Sequence, residues 1–549
     1  MPKVDLLLKD RYPTAVEGKI FHEAIFFKDG PMPAMMIESR SVKRDYRAAA
    51  LSGSIRHTIL CAMMMLLALL TPAAGADPSE DLPDFADSAG ALISPAQEKK
   101  LGESFMRQIR RYAPVVDDIE VEDYIRQLGG SLAKYADYDG DFTFFVIDSN
   151  VINAFAVPGG FIGFHTGLIL NSKSESEVAS VMAHEIVHIT QRHGARGIES
   201  RARNNIPAMA ALLGAVVLTA IDPQAGIGAL TAVQAAQAQQ QINFTRGNER
   251  EADRIGIKLL NEAGYNTQSM ADFFQRLQIA NRYTDPKHIP EILRTHPVTV
   301  NRISEARERA DRMDNSNVRD DSFEYKIVWH KLNVRAAQDP SQAKYYYSKL
   351  LADGEYQYEP IARYGYVLAL TEAGDYNDAR VEIAKLLASD PGVISFRLAA
   401  AELEEQVQDF PAALKHYRIA YEMDPTSRAV VYGYADALTK GGEPEKAREL
   451  LKSFGVGNSQ DPKYYAIIAE AETRMGAEAK SHFSLAEYYR IVGELNLAAV
   501  QLRLAQKAPD VTNYELHRID ARLDEVNKEM LELKTSLKER EKEREQRRR

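Results

Sequence analysis

The chain has 549 residues, more than one compact hydrophobic core usually holds, so we expect about three structural units. Apolar residues make up 45% of the sequence, which excludes a chain dominated by disordered tracts. The formal net charge of −10 argues against nucleic acid as a partner, because phosphate attracts basic surfaces.

A short apolar run near the N-terminus predicts a secreted protein. Residues 59–70 are apolar, follow a basic flank and precede the small-residue end Ala74-Gly75-Ala76. This pattern is typical of a cleaved signal peptide, here over residues 55–76, and the run is too short to span a bilayer comfortably. A buried core helix is the alternative. Residues 1–54 precede this signal peptide as a leader. A start codon assigned too far upstream would explain their presence.

The first part of the mature chain predicts helices followed by a strand. Residues 77–93 are acidic and contain prolines, which indicates a linker. Ser94 then caps a helix that has Pro95 in its first turn. A second helical pattern covers Val121–Tyr135, and the β-branched and aromatic run Phe142–Ile147 predicts a strand.

Two further strands are predicted around a turn. The segments Asn153–Val157 and Phe161–Phe164 flank Pro158-Gly159-Gly160, whose composition favours a tight connection. We therefore expect these segments to pair. His165 lies in the strand-like run of the second segment and is interpreted as a structural residue.

The helix predicted over Glu175–Arg192 carries a metal-binding pattern, His184-Glu185-Ile186-Val187-His188. Residues four apart lie on one face of a helix, so both imidazoles can reach one metal ion. Glu185 lies about 100° round the helix from His184 and is better placed to activate a water for attack on a peptide carbonyl. If the motif did not bind a metal, the side chains of His184, Glu185 and His188 in this apolar helix would need other hydrogen-bond partners. The pattern predicts one Zn²⁺ per chain, which would lower the pKa of bound water to about 7.

A third ligand is expected from a later helix. Glu249 and Asp253 are four residues apart, so one can bind the metal while the other holds the far nitrogen of a ligand histidine. Glu251 lies some 200° round the helix from Glu249, by the helical period, and is expected to matter little. Gly194 stands where one zinc-protease pattern has a histidine. His193 lies five residues past His188, points away on a continuous helix and is interpreted as a surface residue.

Two features near the predicted site allow alternative roles. His296 lies in Thr295-His296-Pro297, where it can stabilise an oxyanion, fill the open metal position or serve as a plain loop residue. The charge-free segment Ile206–Ile221 and the helix that follows it predict a helical hairpin between the ligand-bearing helices. Residues 206–236 could line the cleft, plug it or contact a membrane surface. The first arm is shorter than the roughly 18 residues that a membrane-spanning helix needs.

The second half of the chain repeats every 34 residues. Gly374-Asp375-Tyr376 recurs as Gln408-Asp409-Phe410 and as Gly442-Glu443-Pro444, and a degenerate fourth unit over 477–510 is expected to place Gly493 at the matching position. This period is typical of tetratricopeptide repeats, which stack into a superhelix that binds proteins. Residues 516–549 then follow a heptad pattern, which predicts either a helix capping the last repeat or a coiled coil to a second subunit.

The motifs together resemble the zinc proteases of the HtpX and CAAX-prenyl-protease family. Three elements carry the resemblance: the HExxH motif, the Glu-x-x-Ala-Asp helix with the Thr-His-Pro segment after it, and Asn-Ala-Phe-Ala with Pro-Gly-Gly upstream. The resemblance implies a gluzincin fold with His184, His188 and Glu249 as zinc ligands and Glu185 as the base. We assign Asp253 to the support of a ligand histidine, His296 to the catalytic set, and Asn153, Ala154 and Phe155 to substrate binding.

We therefore expect an α+β, mostly α protein, with a metalloprotease domain over 94–320 and a repeat solenoid over 325–515. In the periplasmic branch the family implies degradation of misfolded or stalled envelope proteins, as quality control of outer-membrane β-barrel proteins. The repeats would bind a protein partner, such as the outer-membrane assembly machinery. The rival hypothesis is a chaperone or scaffold whose zinc site is largely latent. A membrane-integral CAAX-type protease is excluded because the mature chain lacks a set of long apolar spans.

Overall fold

The computed structural model describes residues 94–197, 200, 245–283, 290–455 and 460–548. The expected leader, signal peptide and linker, and the hairpin segment 206–236, lie outside the described residues. Within the described part of the chain, no helix is long and apolar enough to cross a membrane.

The first half of the described chain contains eight helices and three strands: α1 (Pro95–Tyr112), α2 (Ile119–Ala133), β1 (Thr143–Ile147), β2 (Ala154–Val157), β3 (Phe161–His165), α3 (Thr166–Asn171), α4 (Glu175–Thr190), α5 (245–262), α6 (Gln268–Tyr283), α7 (Glu291–Thr295) and α8 (Val300–Asp311). A further helical stretch covers 193–197. The predicted cap of α1 is confirmed, since the Ser94 hydroxyl accepts from the Gln97 backbone N–H and the Gln97 side chain accepts from the Ser94 N–H.

The three strands form a small mixed sheet in the order β1-β3-β2. β1 runs parallel to β3, and β2 pairs antiparallel with β3, so the predicted strand pair is confirmed. The turn between β2 and β3 uses Gly159 and Gly160, both at φ +92°. A Cβ at Gly160 would lie 2.0 Å from the Asp141 carbonyl oxygen, so only glycine fits there. β2 is left at one edge of this sheet.

The main hydrophobic core lies between the sheet and helices α2, α4, α5 and α6. Its fully buried side chains include Ile125, Ile162, Phe164 and Met182. α4 runs through this core, and every residue of α4 except His188 is buried. A helix held on all sides in this way is a rigid support for functional groups.

The second half of the described chain is helical: α9 (Phe323–Arg335), α10 (Pro340–Asp353), α11 (Glu359–Glu372), α12 (Tyr376–Ser389), α13 (Ile394–Gln406), α14 (Phe410–Met423), α15 (Arg428–Lys440), α16 (Pro444–Phe454), α17 (Pro462–Arg474), α18 (Glu478–Ile491), α19 (Leu495–Lys507) and α20 (Asn513–Arg548). Successive helices pack as neighbours, as stacked repeats require.

A left-handed residue marks the turn inside each repeat. Gly374, Gln408, Gly442 and Gly476 have φ of 78°, 61°, 89° and 72°, so the turn recurs at the predicted spacing. The fourth turn is therefore at Gly476, whereas the sequence pattern placed it at Gly493. Gly493, at φ 85°, makes the following turn between α18 and α19. The 34-residue spacing counted from Gly442 leads to Gly476, whereas the match to Gly493 rested on the similar residues around it.

The start of α20 packs on the last repeat. Ile519 and Val526 are buried against α19, with Leu523 and Met530 partly buried beside them. This contact agrees with the interpretation of the heptad segment as a capping helix over its first turns.

Candidate metal centre

Helices α4 and α5 bring the predicted ligands together. The Ser174 hydroxyl accepts the Glu177 backbone N–H and so caps the start of α4. A Cβ at Gly256 of α5 would lie 3.4 Å from the His184 backbone nitrogen, so the two helices approach closely at the level of the motif. His184 and Glu249 are both buried, with 4% exposure each.

Four side chains converge on one point. His184, His188, Glu249 and His296 each offer a ligand atom, and these atoms all lie within 4.8 Å of one another. The Nε2 atoms of His184 and His188 are 3.0 Å apart. Glu249 oxygens lie 3.4 Å from His184 Nε2 and 3.6 Å from His188 Nε2. His296 Nδ1 lies 3.4 Å from His184 Nε2 and 3.1 Å from Glu249 Oε1.

These distances match a tetrahedral zinc site. Ligand bonds of about 2.0–2.1 Å at tetrahedral angles place neighbouring ligand atoms about 3.3 Å apart. The donors are imidazole nitrogens and a carboxylate, which is the set that zinc prefers in catalytic sites. The residues present therefore fit a zinc ion.

The electrostatics of the cluster favour positive charge at its centre. Burial lowers the pKa of His184, but hydrogen bonds to Asp253 and Glu249 outweigh burial and raise that pKa to about 10. Burial raises the pKa of Glu249, yet His296 and His184 hold it well below its ordinary value. Burial and the charge of His184 lower the pKa of His188 well below its ordinary value. Ionised Glu249 and neutral His188 are therefore in the states that bind a metal, whereas His184 must lose a proton to bind one.

Asp253 and Arg302 support the cluster from behind. Asp253 Oδ1 lies 3.0 Å from His184 Nδ1, on the side of the ring away from the other ligands. Arg302, from α8, donates to both Asp253 oxygens at 2.7 and 2.8 Å, to Glu249 Oε2 at 2.8 Å and to the Pro297 carbonyl at 2.9 Å. The sequence places Asp253 correctly near a ligand histidine, but Arg302 lies on a different helix and no spacing rule points to it.

Glu185 lies at the same centre, and its carboxylate makes no hydrogen bond to any described residue. Its side chain is 1% exposed. His296 Nε2 lies 3.5 Å from Oε1. A buried acceptor of this kind requires a donor such as water or substrate, which fits a general base.

A cleft of about 390 Å³ opens beside the cluster. The residues that line it include Phe155, Ala156, Ile189, Glu185 and His296. Of the three residues assigned to substrate binding, Phe155 faces this cleft. Asn153 and Ala154 are buried, with 5% and 0% exposure, and Ala154 packs in the main core. Any role of Ala154 in binding must therefore use its backbone.

His193 is not a surface residue, contrary to the interpretation from spacing. It is 5% exposed, and its Nδ1 lies 2.9 Å from Nδ1 of His188. The interpretation assumed that α4 continues to Arg192, but α4 ends at Thr190 and Arg192 adopts φ 51°. This left-handed residue turns the chain back, so His193 faces the site. No spacing signal in a regular helix could have shown it.

Known proteins with similar sequences agree with this arrangement. A model of peptidase family M48 matches residues 120–310, and a tetratricopeptide-repeat model matches residues 406–471. The Beta-barrel assembly-enhancing protease of Escherichia coli (strain K12) is 34% identical over 455 residues, covering 82% of this chain and 92% of that protein. A putative protease of the same name from Vibrio cholerae is 32% identical over 472 residues, covering 86% and 96%.

A more distant likeness covers only part of the chain. The human mitochondrial metalloendopeptidase OMA1 is 28% identical over 164 residues, which are 29% of this chain and 30% of that protein. The bacterial relatives instead match across both halves. Their extent and identity confirm the resemblance drawn from the motifs, and this chain, with its M48 peptidase domain and tetratricopeptide repeats, is a metallopeptidase of the family that contains the Beta-barrel assembly-enhancing proteases.

Proposed function

We propose that this metallopeptidase is a zinc-dependent endopeptidase of the bacterial periplasm that degrades misfolded or stalled envelope proteins. The observation that carries the proposal is the convergence of His184, His188 and Glu249 beside the Glu185 carboxylate, which accepts no hydrogen bond from a described residue. Three protein ligands and a nearby base are the parts that a zinc hydrolase needs.

Each residue of the cluster has a distinct role in the proposed mechanism. His184, His188 and Glu249 would hold the zinc, which when bound polarises the substrate carbonyl and acidifies water. Glu185 takes the proton of the attacking water and passes it to the leaving amine. The Asp253 carboxylate, 3.0 Å from Nδ1 of His184, holds the ring of His184 in place through their charge interaction.

The substrate is proposed to bind as an added strand. β2 lies at the edge of the sheet, contains Ala154 and Phe155, and packs against α4. An extended peptide can pair with the backbone of an edge strand while its side chains enter neighbouring pockets. This mode requires an unfolded or locally extended substrate and would use the backbone of Ala154, because the Asn153 carbonyl already accepts from the His165 N–H on β3.

His296 is proposed to occupy the fourth ligand position in the resting enzyme. Its Nδ1 lies 3.1 and 3.2 Å from the two Glu249 oxygens, as close as the other ligands are to each other. Departure of His296 would free this position for substrate, and His296 could then stabilise the oxyanion.

The hairpin 206–236, which lies between the two ligand-bearing helices in sequence, is proposed to frame or cover the same cleft or to contact the membrane surface.

The proposed substrates and location follow from the relatives. Their name, Beta-barrel assembly-enhancing protease, concerns the assembly of β-barrel proteins. The signal-peptide pattern over 55–76 supports export to the compartment in which outer-membrane β-barrel proteins are found unfolded. The repeats would recruit a substrate or a component of the outer-membrane assembly machinery.

Metal analysis tests the zinc centre directly. The purified chain starting at residue 77 should contain about one zinc, and His188→Ala and Glu249→Ala should lose it. Glu185→Gln should retain it, because Glu185 is not a ligand, and serves as the matched control for a substitution at the buried centre. Equal zinc content in wild type and His188→Ala would refute the ligand assignment.

A further inference from the structure

His193 joins His188 to a charged pair on the surface of the protease domain. Its Nδ1 lies 2.9 Å from Nδ1 of His188, and its Nε2 lies 3.0 Å from Glu251 Oε2. The same Glu251 oxygen accepts a hydrogen bond from Arg196 at 3.0 Å. The side chain of His193 is 4% exposed, whereas those of Glu251 and Arg196 are 21% and 16% exposed. The contacts therefore form a continuous chain from the proposed ligand His188 to the surface.

An unusual backbone conformation creates this contact. Arg192 has φ 51°, a left-handed conformation that residues other than glycine rarely adopt. Its guanidinium group is held by Glu98 of α1, with Nε 2.8 Å from Oε1. Backbone strain of this kind concentrates at functional sites. Here it brings His193 against the face of His188 that points away from the metal position.

The hydrogen-bonding capacity of the groups fixes every proton in the chain. His188 presents Nε2 to the other ligands, so its Nδ1 must carry the proton. His193 Nδ1 then accepts that proton's hydrogen bond, which leaves the His193 proton on Nε2. Nε2 donates to the Glu251 carboxylate, and Arg196 keeps that carboxylate in place. No other arrangement of neutral rings satisfies both contacts.

His184 and His188 are thus supported in parallel ways. Asp253, held by Arg302, backs His184 directly, whereas Glu251, held by Arg196, backs His188 through one more imidazole. We propose that His193 is a positioning residue, which holds His188 in the orientation and tautomer that metal binding requires. This proposal rests on the proposed zinc site and revises the expectation that Glu251 matters little.

The experiment compares zinc affinity in the chain from residue 77 and four variants. His193→Leu removes both hydrogen bonds, Glu251→Leu removes the outer one, and His193→Gln keeps an acceptor and a donor at comparable positions. Glu305→Leu is the control, because Glu305 is an exposed partner of Arg250 near α5. Zinc dissociation constants are measured by chelator competition, the visible spectrum of the Co²⁺ form reports ligand geometry, and the melting temperature of the metal-free form reports folding.

We expect His193→Leu and Glu251→Leu to weaken zinc binding by about 10- to 100-fold and to change the Co²⁺ spectrum. The metal-free melting temperature should stay unchanged, and His193→Gln and Glu305→Leu should behave as wild type. Wild-type zinc affinity in His193→Leu would overturn the proposal. So would a loss of folding that His193→Gln fails to rescue, since that result indicates a structural role alone. Failure of the wild type itself to bind zinc would refute the zinc site, and with it this proposal.

Discussion

Arg302 contacts two carboxylates at the metal centre, that of the proposed ligand Glu249 and that of Asp253, which supports His184. It binds Asp253 through two nitrogens and Glu249 through the third, and its side chain is 4% exposed. Its guanidinium also lies 4.9 Å from the ring centroid of Phe274. Burial lowers the pKa of Arg302, but the two carboxylates outweigh burial and raise it, so the charge is permanent. Arg302 therefore neutralises charge that would otherwise repel within the core.

Substitution of Arg302 should be severe. Arg302→Leu leaves Asp253 and Glu249 as buried charges without their cation, which should cost about 3–5 kcal/mol of unfolding free energy. Arg302→Lys should not restore the unfolding free energy, because a single ammonium group cannot reproduce the paired contacts with Asp253. Urea unfolding monitored by circular dichroism checks both. Arg307→Leu is the control on the same helix, since Arg307 is 42% exposed. A loss of less than about 1 kcal/mol in Arg302→Leu would contradict this role.

Residues at helical spacing could be predicted from the sequence, whereas residues joined by tertiary contacts could not. His184, His188, Glu249 and Asp253 are paired four apart on two helices, and the structure brings them together with His296. Arg302 reaches the site from α8, and His193 faces it only because α4 ends early. Local periodicity carries no information on either contact.

At the scale of elements, the acidic start of α2 packs against three basic residues from the repeat half. Lys331 of α9 lies 2.9 Å from Asp118 and 2.6 Å from Glu120. Arg428 of α15 pairs with Asp123, and Lys463 of α17 lies 2.6 Å from Asp117. The negative residues also lie at the helix N-terminus, where they interact favourably with the helix dipole. These ion pairs tie the protease half to the repeats.

The Asp118–Lys331 pair predicts a dependence of stability on pH. Burial raises the pKa of Asp118, but the charge and hydrogen bond of Lys331 outweigh burial and hold it below its ordinary value. A carboxyl group with a lowered pKa stabilises the fold above its unfolded pKa, and this contribution is lost as pH falls through its folded pKa. Asp118→Asn should therefore lower the unfolding free energy by about 1 kcal/mol at pH 7, and the difference should shrink below about pH 4.

Trp329 allows a direct measurement of this effect. It is the only tryptophan of the chain and lies on α9, partly buried against the protease core. Urea unfolding followed by its fluorescence at neutral and acidic pH compares wild type with Asp118→Asn. Asn keeps the helix cap that Asp118 provides. Asp141→Asn, at a residue whose side chain is 94% exposed, is the control. A stability difference that grows in acid would contradict the expected direction of the effect.

His296 and residues 206–236 are together proposed to form a latch, which restricts access of substrate to the cleft. We expect the isolated wild type to cleave casein very slowly, because His296 lies against the ligand cluster. His296→Ala, and a variant with residues 206–236 replaced by a short Gly/Ser linker, should cleave faster with folding and zinc content intact. Binding of a partner to the repeats would act in the same direction by favouring the open state. Brisk cleavage by wild type, unchanged or lowered in both variants, would rule out the latch.

The individual helices and strands were largely predictable because their signals are local. The cap at Ser94, the strand pair around Gly159 and the 34-residue spacing of repeat turns are each encoded within a few turns of chain. The end of α4 was misplaced by two residues because Arg192 adopts a conformation that its residue type does not favour.

At the scale of the whole molecule, the sequence indicates both halves but not their contact. The hydrogen bonds from Lys331 to Glu120 and from Arg428 to Asp123 join residues that are 211 and 305 positions apart. Composition records only the net charge of −10 and cannot show which acidic residues face which basic ones. The contact packs the repeats directly against the protease half.

This coupling suits delivery of a substrate by the repeats to the cleft beside α4. The rival hypothesis, a chaperone or scaffold with a latent site, uses the same repeats but not the carboxylate of Glu185. The two hypotheses therefore differ in the effect of a single substitution. Glu185→Gln keeps the size of the side chain and the metal ligands, and it removes only the general base.

The most direct measurement is the rate at which a stalled outer-membrane β-barrel protein disappears from cells that produce equal amounts of wild type or Glu185→Gln. Zinc content and melting temperature of both proteins are measured in parallel, and both should match. We predict degradation with wild type and a rate at least about 100-fold lower with Glu185→Gln. Equal removal or equal rescue of β-barrel assembly by the two proteins would contradict the protease hypothesis and favour the chaperone hypothesis.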